Sequence, residues 1–164
     1  MLENETLTFT RAVEGIGWTI HDGESGKQVG AVRSSKGVGF WPRCLKRTWL
    51  AVYESEDEPL LCTVHRQLGF RETWELRDAE GQPVGKLSRE TLRGRLGRRL
   101  SRVDVPQVRA IHYRDSQGRL MATLTCFREF RLTFAAESKG DPFTRMLVLG
   151  GALLEVSRGL RTDG

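Results

Sequence analysis

The fold is decided by Trp74-Glu75-Leu76-Arg77-Asp78-Ala79-Glu80-Gly81-Gln82-Pro83-Val84-Gly85-Lys86-Leu87. Apolar and polar residues alternate up to Asp78, as a half-buried strand requires. Asp78 suits a turn because its carboxylate bonds nearby backbone, and Gly81 because it accepts a positive φ. Alternation then resumes, so the spacing predicts a β-hairpin with a loop of roughly three to five residues. Gly85, just after the turn, marks a crowded or strongly bent point on the returning strand.

The same pattern recurs in Trp18-Thr19-Ile20-His21-Asp22…Gly26…Val29-Gly30 and in Ile111-His112-Tyr113-Arg114-Asp115…Gly118…Met121-Ala122. A weaker copy runs from Leu50 to Val64. Further strands are expected at 7–13, at 38–41, somewhere in 92–103 and at 130–134. The count is about twelve strands between residues 6 and 136. Leu92, Leu96 and Leu100 could instead form a helical ridge, but Gly94 and Gly97 each cost about 1 kcal/mol in a helix. Trp18 and Trp74 stand 56 residues apart in the numbering. The same offset carries the basic segment 33–47 onto 89–103, which suggests two similar halves, 7–68 and 70–135.

After the strands comes Asp141-Pro142, a good helix start: the carboxylate caps free N–H groups and proline fits the first helical position. The run Met146–Val156 that follows has no polar face, unlike a surface helix. Its uncharged core, 146–154, is far shorter than the roughly 20 residues of a membrane span. A helix over 142–158, buried on every side, is the expectation. Gly150 and Gly151 fit it if bulky groups approach closely there.

Composition agrees with one globular domain over 1–164. The 164 residues are 38% hydrophobic and 29% charged with both signs mixed, which excludes a disordered chain. The N-terminus lacks the basic start and apolar stretch of a signal peptide. The three cysteines, Cys44, Cys62 and Cys126, form no Cys-x-x-Cys. A reduced, cytoplasmic setting is expected. The expected fold class is all-β with one helix: a closed antiparallel barrel of about twelve strands, built of hairpins around a buried hydrophobic C-terminal α-helix.

The hairpins with Asp22…Gly26, Asp78…Gly81 and Asp115…Gly118, with the late helix Met146–Val156 and its Glu155, give the chain a resemblance. It resembles the tubby-like superfold, and within it the LURP-one-related and phospholipid-scramblase-like families, over about 6–158. That resemblance implies a barrel wrapping a central helix and a non-enzymatic binding or scaffold domain. Scramblase-like proteins also carry a proline-rich leader, a cysteine cluster and a membrane segment. None is read here, so lipid translocation is not implied. Tubby-type domains bind phosphoinositide headgroups through basic residues, but no individual residue here matches that site.

No catalytic motif is found, and no cofactor is expected. His21, His65 and His112 have no metal-ligand spacing to one another or to cysteine. Cys44, between Arg43 and Lys46-Arg47, is the cysteine best placed for thiolate character, although an ordinary loop cysteine reads as well. The net charge is +5, and the five lysines leave 21 of the 26 basic residues as arginine. Arginine's planar fork suits phosphate. The candidate anion-binding residues are Arg43, Lys46 and Arg47 in the first basic segment, flanked by Trp41 and Trp49. In the second they are Arg93, Arg95, Arg98, Arg99 and Arg102. The leading ligand is an anionic lipid headgroup, with the protein peripheral to a membrane, or another phosphorylated ligand. A nucleic acid is the alternative. A solvated barrel face is the competing account of the same charges.

Overall fold

The computed structural model describes residues 1–12, 17–35, 49–54, 59–67, 72–127 and 129–159. Its strands are β1 (Thr6–Arg11), β2 (Gly17–Asp22), β3 (Gln28–Ser35), β4 (Trp49–Tyr53), β5 (Leu60–Arg66), β6 (Trp74–Asp78), β7 (Pro83–Leu87), β8 (Thr91–Gly94), β9 (Arg99–Val105), β10 (Ala110–Arg114), β11 (Leu120–Cys126) and β12 (Phe130–Phe134). One helix, α1 (Pro142–Gly159), follows. The strands form a closed antiparallel barrel in chain order, and β12 returns to β1 with Thr6 opposite Thr133. Closure removes the exposed sheet edges on which other chains could pair.

The expected count of twelve is met by a different set of strands. The segment 92–103 holds parts of two strands, β8 and β9, joined by a 3-10 turn at Arg95–Gly97. The candidate strand Val38–Trp41 lies outside the described residues. Residues 7–68 contribute β1–β5 and 70–135 contribute β6–β12. The three strong Asp…Gly copies are the hairpins β2–β3, β6–β7 and β10–β11, four strands apart around the ring.

Turn chemistry is the same in each copy. Gly81 N–H donates to Asp78 O at 3.0 Å, and Gln82 N–H to Asp78 Oδ1 at 2.7 Å. Asp115 accepts equivalent bonds from Gly118, Gln117 and Arg119, and Asp22 from Gly26, Glu24 and Ser25. Gly26, Gly81 and Gly118 have φ of 69°, 76° and 78°. Each returning strand then carries a one-residue bulge, at Val29, Val84 and Met121. Just past each bulge a small residue faces a fully buried one: Gly30 opposite Ile20, Gly85 opposite Leu76, Ala122 opposite Tyr113. The weaker copy, β4–β5, repeats the arrangement with Cys62 opposite Val52. Bulges bend and twist a strand, which helps the sheet curl into a barrel.

The helix fills the interior. Thr144 through Leu154 are all buried, so no face of α1 meets solvent over that run. Leu147, Val148, Leu149, Leu153 and Val156 pack with the inward residues of the strands, and each such side chain contributes about 1.5–3 kcal/mol. A Cβ on Gly150 would stand 3.1 Å from Leu87, and one on Gly151 3.0 Å from Leu92. The two glycines let the backbone lie against these leucines. Asp141 caps the helix as expected, accepting from Thr144 N–H at 3.1 Å and Thr144 Oγ1 at 2.6 Å. Pro142 and Phe143, at the first turn, are exposed, Phe143 by 52%.

Hairpin turns alternate between the two barrel ends. The turns β2–β3, β4–β5, β6–β7, β8–β9 and β10–β11 share the end where α1 starts. The remaining connections share the end where α1 finishes.

Candidate functional site

The second basic segment divides by strand parity. Leu92 and Leu100 face inward as a cross-strand pair, so Arg93 and Arg99, directly opposite one another, face out. Arg93 is also opposite Lys86 on β7. Lys86, Arg93 and Arg99 therefore form one row across three strands, at the usual interstrand spacing of about 4.8 Å. None of the three side chains has an ion pair or hydrogen bond among the described residues. Like charges directly opposite one another destabilise a sheet. Arg95, in the turn that follows β8, joins the row at a shallow groove of about 280 Å³ lined also by Pro83, Val84 and Gly85. Glu75 borders the groove, but its Oε2 is held by Arg77 at 2.8 and 3.1 Å.

Arg98 and Arg102 are placed differently. Arg98 Nη1 donates to Thr144 Oγ1 at 3.0 Å and pairs with Asp141, so it ties the β8–β9 turn to the helix cap. Arg102 shares the inward parity of Leu100. Its guanidinium holds Asp104 at 2.8 Å and Glu155 of α1 at 3.3 Å. Glu155 also accepts from Arg158 at 2.6 Å, and Arg158 pairs with Glu72 at 3.2 Å. This ion cluster surrounds the last turn of the helix. Arg43, Lys46, Arg47, Cys44 and Trp41 lie outside the described residues. The strands that flank them, β3 and β4, pair Ser35 with Trp49 at the end where α1 finishes. Arg95 and Arg98 lie at the opposite end.

Beside the ion cluster, Tyr113 Oη and Arg102 Nε are buried without a hydrogen-bond partner among the described residues. Burial, reinforced by the Glu155 carboxylate, pushes the Tyr113 hydroxyl well above its ordinary range. Burial and then Glu155 also raise the half-buried Cys126 thiol. Burial alone pushes Cys62 up to about 12, so it is an inert core residue. His65 is lowered by burial and then by Arg77, and its Nε2 shares a hydrogen bond with Thr63 Oγ1 at 2.9 Å. His21 shares hydrogen bonds with the hydroxyls of Thr10 and Thr19, both at 3.1 Å. Among the described residues no group of three or more His, Cys, Asp and Glu side chains could hold a metal.

Sequence reasoning missed Lys86, which belongs to no basic run and joins the row only through the register of β7 on β8. It also missed that Arg102 points inward, since parity in 92–103 depends on where the turn falls. Compared with models of protein families, with curated proteins and with solved structures, the chain matches none. Among the described residues no helix is long and apolar enough to cross a membrane.

Proposed function

We propose that the protein is a non-enzymatic binding domain that holds a phosphorylated, anionic ligand on the β7–β8–β9 face. The observation that carries this reading is the unpaired row Lys86–Arg93–Arg99 with Arg95 beside it. Four cations whose one acidic neighbour, Glu75 opposite Lys86, is held by Arg77 suit a group bearing several negative oxygens, because arginine engages phosphate bidentately. The barrel wrapped around a buried helix supports the tubby-like reading, and a cytoplasmic setting at a membrane surface goes with it. The phosphate could belong to a lipid headgroup or to a soluble molecule, and the experiment separates the two.

Binding is measured to vesicles carrying a phosphoinositide, to vesicles carrying phosphatidylserine, to soluble inositol hexakisphosphate and to single-stranded oligonucleotides. Vesicle binding alone indicates a membrane ligand; equal binding to the soluble polyphosphate indicates a free one. Arg93→Glu with Arg99→Glu should weaken either at least tenfold without unfolding the chain. Arg98 and Arg102 stay unchanged, because they hold the helix. Affinity that rises with oligonucleotide length would favour nucleic acid instead. Binding that is absent throughout, or indifferent to the double variant, would overturn the reading.

A further inference from the structure

At the end of the barrel where α1 finishes, the paired ends of β9, β10 and β11 border a surface depression. Asp104, Ile111 and Cys126 share the inward parity of Arg102, Tyr113 and Leu124 on their strands. With Val105, Pro106 and Arg109 of the β9–β10 turn they line a cleft of about 390 Å³. The depression is shallow and largely open to solvent, like the groove on the β7–β8 face, and its volume lies in the lower part of the roughly 300–1,000 Å³ range of small-ligand sites.

The walls are apolar on one side: Val105, Pro106, Ile111 and Cys126. The turn residues next to them carry two exposed apolar side chains, Val108 at 49% and Phe127 at 66%. The polar side has one free charge. Asp104 is neutralised by Arg102, which reaches both of its oxygens at 2.8 Å. The Arg109 guanidinium has no ion pair or hydrogen bond among the described residues. The Arg109 backbone has φ 45°, a left-handed conformation unfavourable for a side-chain-bearing residue. It is held there by Arg109 N–H donating to Pro106 O at 3.2 Å and by Cys126 N–H donating to Arg109 O at 2.9 Å. Strain maintained in this way fixes the direction in which the Arg109 side chain leaves the turn. Behind Asp104, and not lining the cleft, Arg102 Nε and Tyr113 Oη are buried with no hydrogen-bond partner among the described residues.

We propose that this barrel mouth binds a small amphipathic monocarboxylate, of the kind a fatty acid presents. The apolar chain lies on Val105, Pro106, Ile111 and Cys126, flanked by Val108 and Phe127. The carboxylate meets Arg109. One free guanidinium with Asp104 in the same cleft suits a single negative charge better than a phosphate dianion. The site is separate from the outer face proposed above, and neither depends on the other.

Cys126 reports on occupancy. In a Cys44→Ser background it is the one accessible thiol, because Cys62 is 0% exposed. Its alkylation rate is followed at mildly alkaline pH with decanoate, decanol or acetate present. Decanoate at millimolar concentration should slow labelling several-fold, decanol less, and acetate not at all. Arg109→Asn, a residue that tolerates left-handed backbone, should bring decanoate down to decanol without changing the melting temperature. Arg109→Lys should restore part of the difference. No protection by decanoate, equal protection by decanol, or an advantage for decanoate that survives Arg109→Asn would each overturn the proposal. The ligand series on the unsubstituted Arg109 protein decides the question even if a variant fails to fold.

Discussion

The two ends of α1 solve the same problem in opposite ways. At the first turn, Arg145 is 5% exposed and has no carboxylate partner among the described residues. Its guanidinium donates to Leu2 O at 2.6 Å, Asn4 O at 3.2 Å and Ser138 O at 3.3 Å, and it lies 4.7 Å over the Phe134 ring. Those carbonyls precede β1 and follow β12, so one side chain ties together the two strands that close the ring. At the last turn, Glu155 is shared by Arg102 and Arg158, while Tyr113 Oη and Arg102 Nε have no partner. At the first end the buried Arg145 is met by neutral acceptors and the capping Asp141 is paired with Arg98, so this end acts as a seal. The second is built from charges, incompletely satisfied, beside an open cleft. Satisfied polar groups rigidify a structure, whereas unsatisfied ones are where water or a ligand is expected.

Substitutions can break this comparison. The largest effect belongs to neither end: Leu149→Asp or Leu153→Asp should prevent folding. An unpaired charge in the barrel interior costs several kcal/mol against a total stability of about 5–15 kcal/mol. Circular dichroism melts should show no cooperative transition, and deletion of 142–164 should leave an insoluble or molten chain. Next come the ends themselves. Arg145→Met strands three carbonyl acceptors and should cost about 3 kcal/mol, or roughly 6–12 °C in melting temperature. Arg102→Met leaves Glu155 with Arg158 and should cost only about 1–2 kcal/mol. If denaturant melts show Arg102→Met to be the more damaging, the seal lies at the wrong end.

A smaller effect sharpens the account of the open end. Tyr113→Phe removes a hydroxyl that has no protein partner, so stability should stay level or rise by up to about 1 kcal/mol. A loss of 1 kcal/mol or more would place an ordered water or ligand on that hydroxyl. Smallest is the outer row. Arg93→Glu sets a carboxylate between Lys86 and Arg99 and should add roughly 0.2–1 kcal/mol, at most about 4 °C. A variant that melts higher but binds less would mean that the row is kept against the interest of stability.

The hairpins were legible because turn chemistry is local. Asp78 and Gly81 announce their turn without reference to anything distant, and so do Asp22 and Gly26. The helix was legible for a similar reason: an apolar run with no polar face has nowhere to go but inside. What depended on pairing was not legible. In 92–103 a short 3-10 turn interrupts the alternation, so neither the two strands nor the inward aim of Arg102 shows in the pattern. The bulges left only an indirect trace, as small residues at 30, 85 and 122. The cleft at Arg109 left none, because it depends on which turns become neighbours when the ring closes. Of the candidate anion-binding residues, Arg93, Arg95 and Arg99 remain in the proposed site. Arg98 and Arg102 have structural partners that sequence spacing does not reveal.

The placement of α1 after all twelve strands bears on how the chain is made. Residues 142–159 leave the ribosome after every strand, so until then each strand presents its apolar face to a hollow with nothing in it. Thr6 must meanwhile await Thr133 to close the ring. A nascent chain in that state shows both exposed apolar surface and unpaired strand edges, the two features that draw aggregation or a chaperone. Synthesis that halts before residue 142 would release a chaperone substrate, because the hollow is filled only once α1 has followed the strands out.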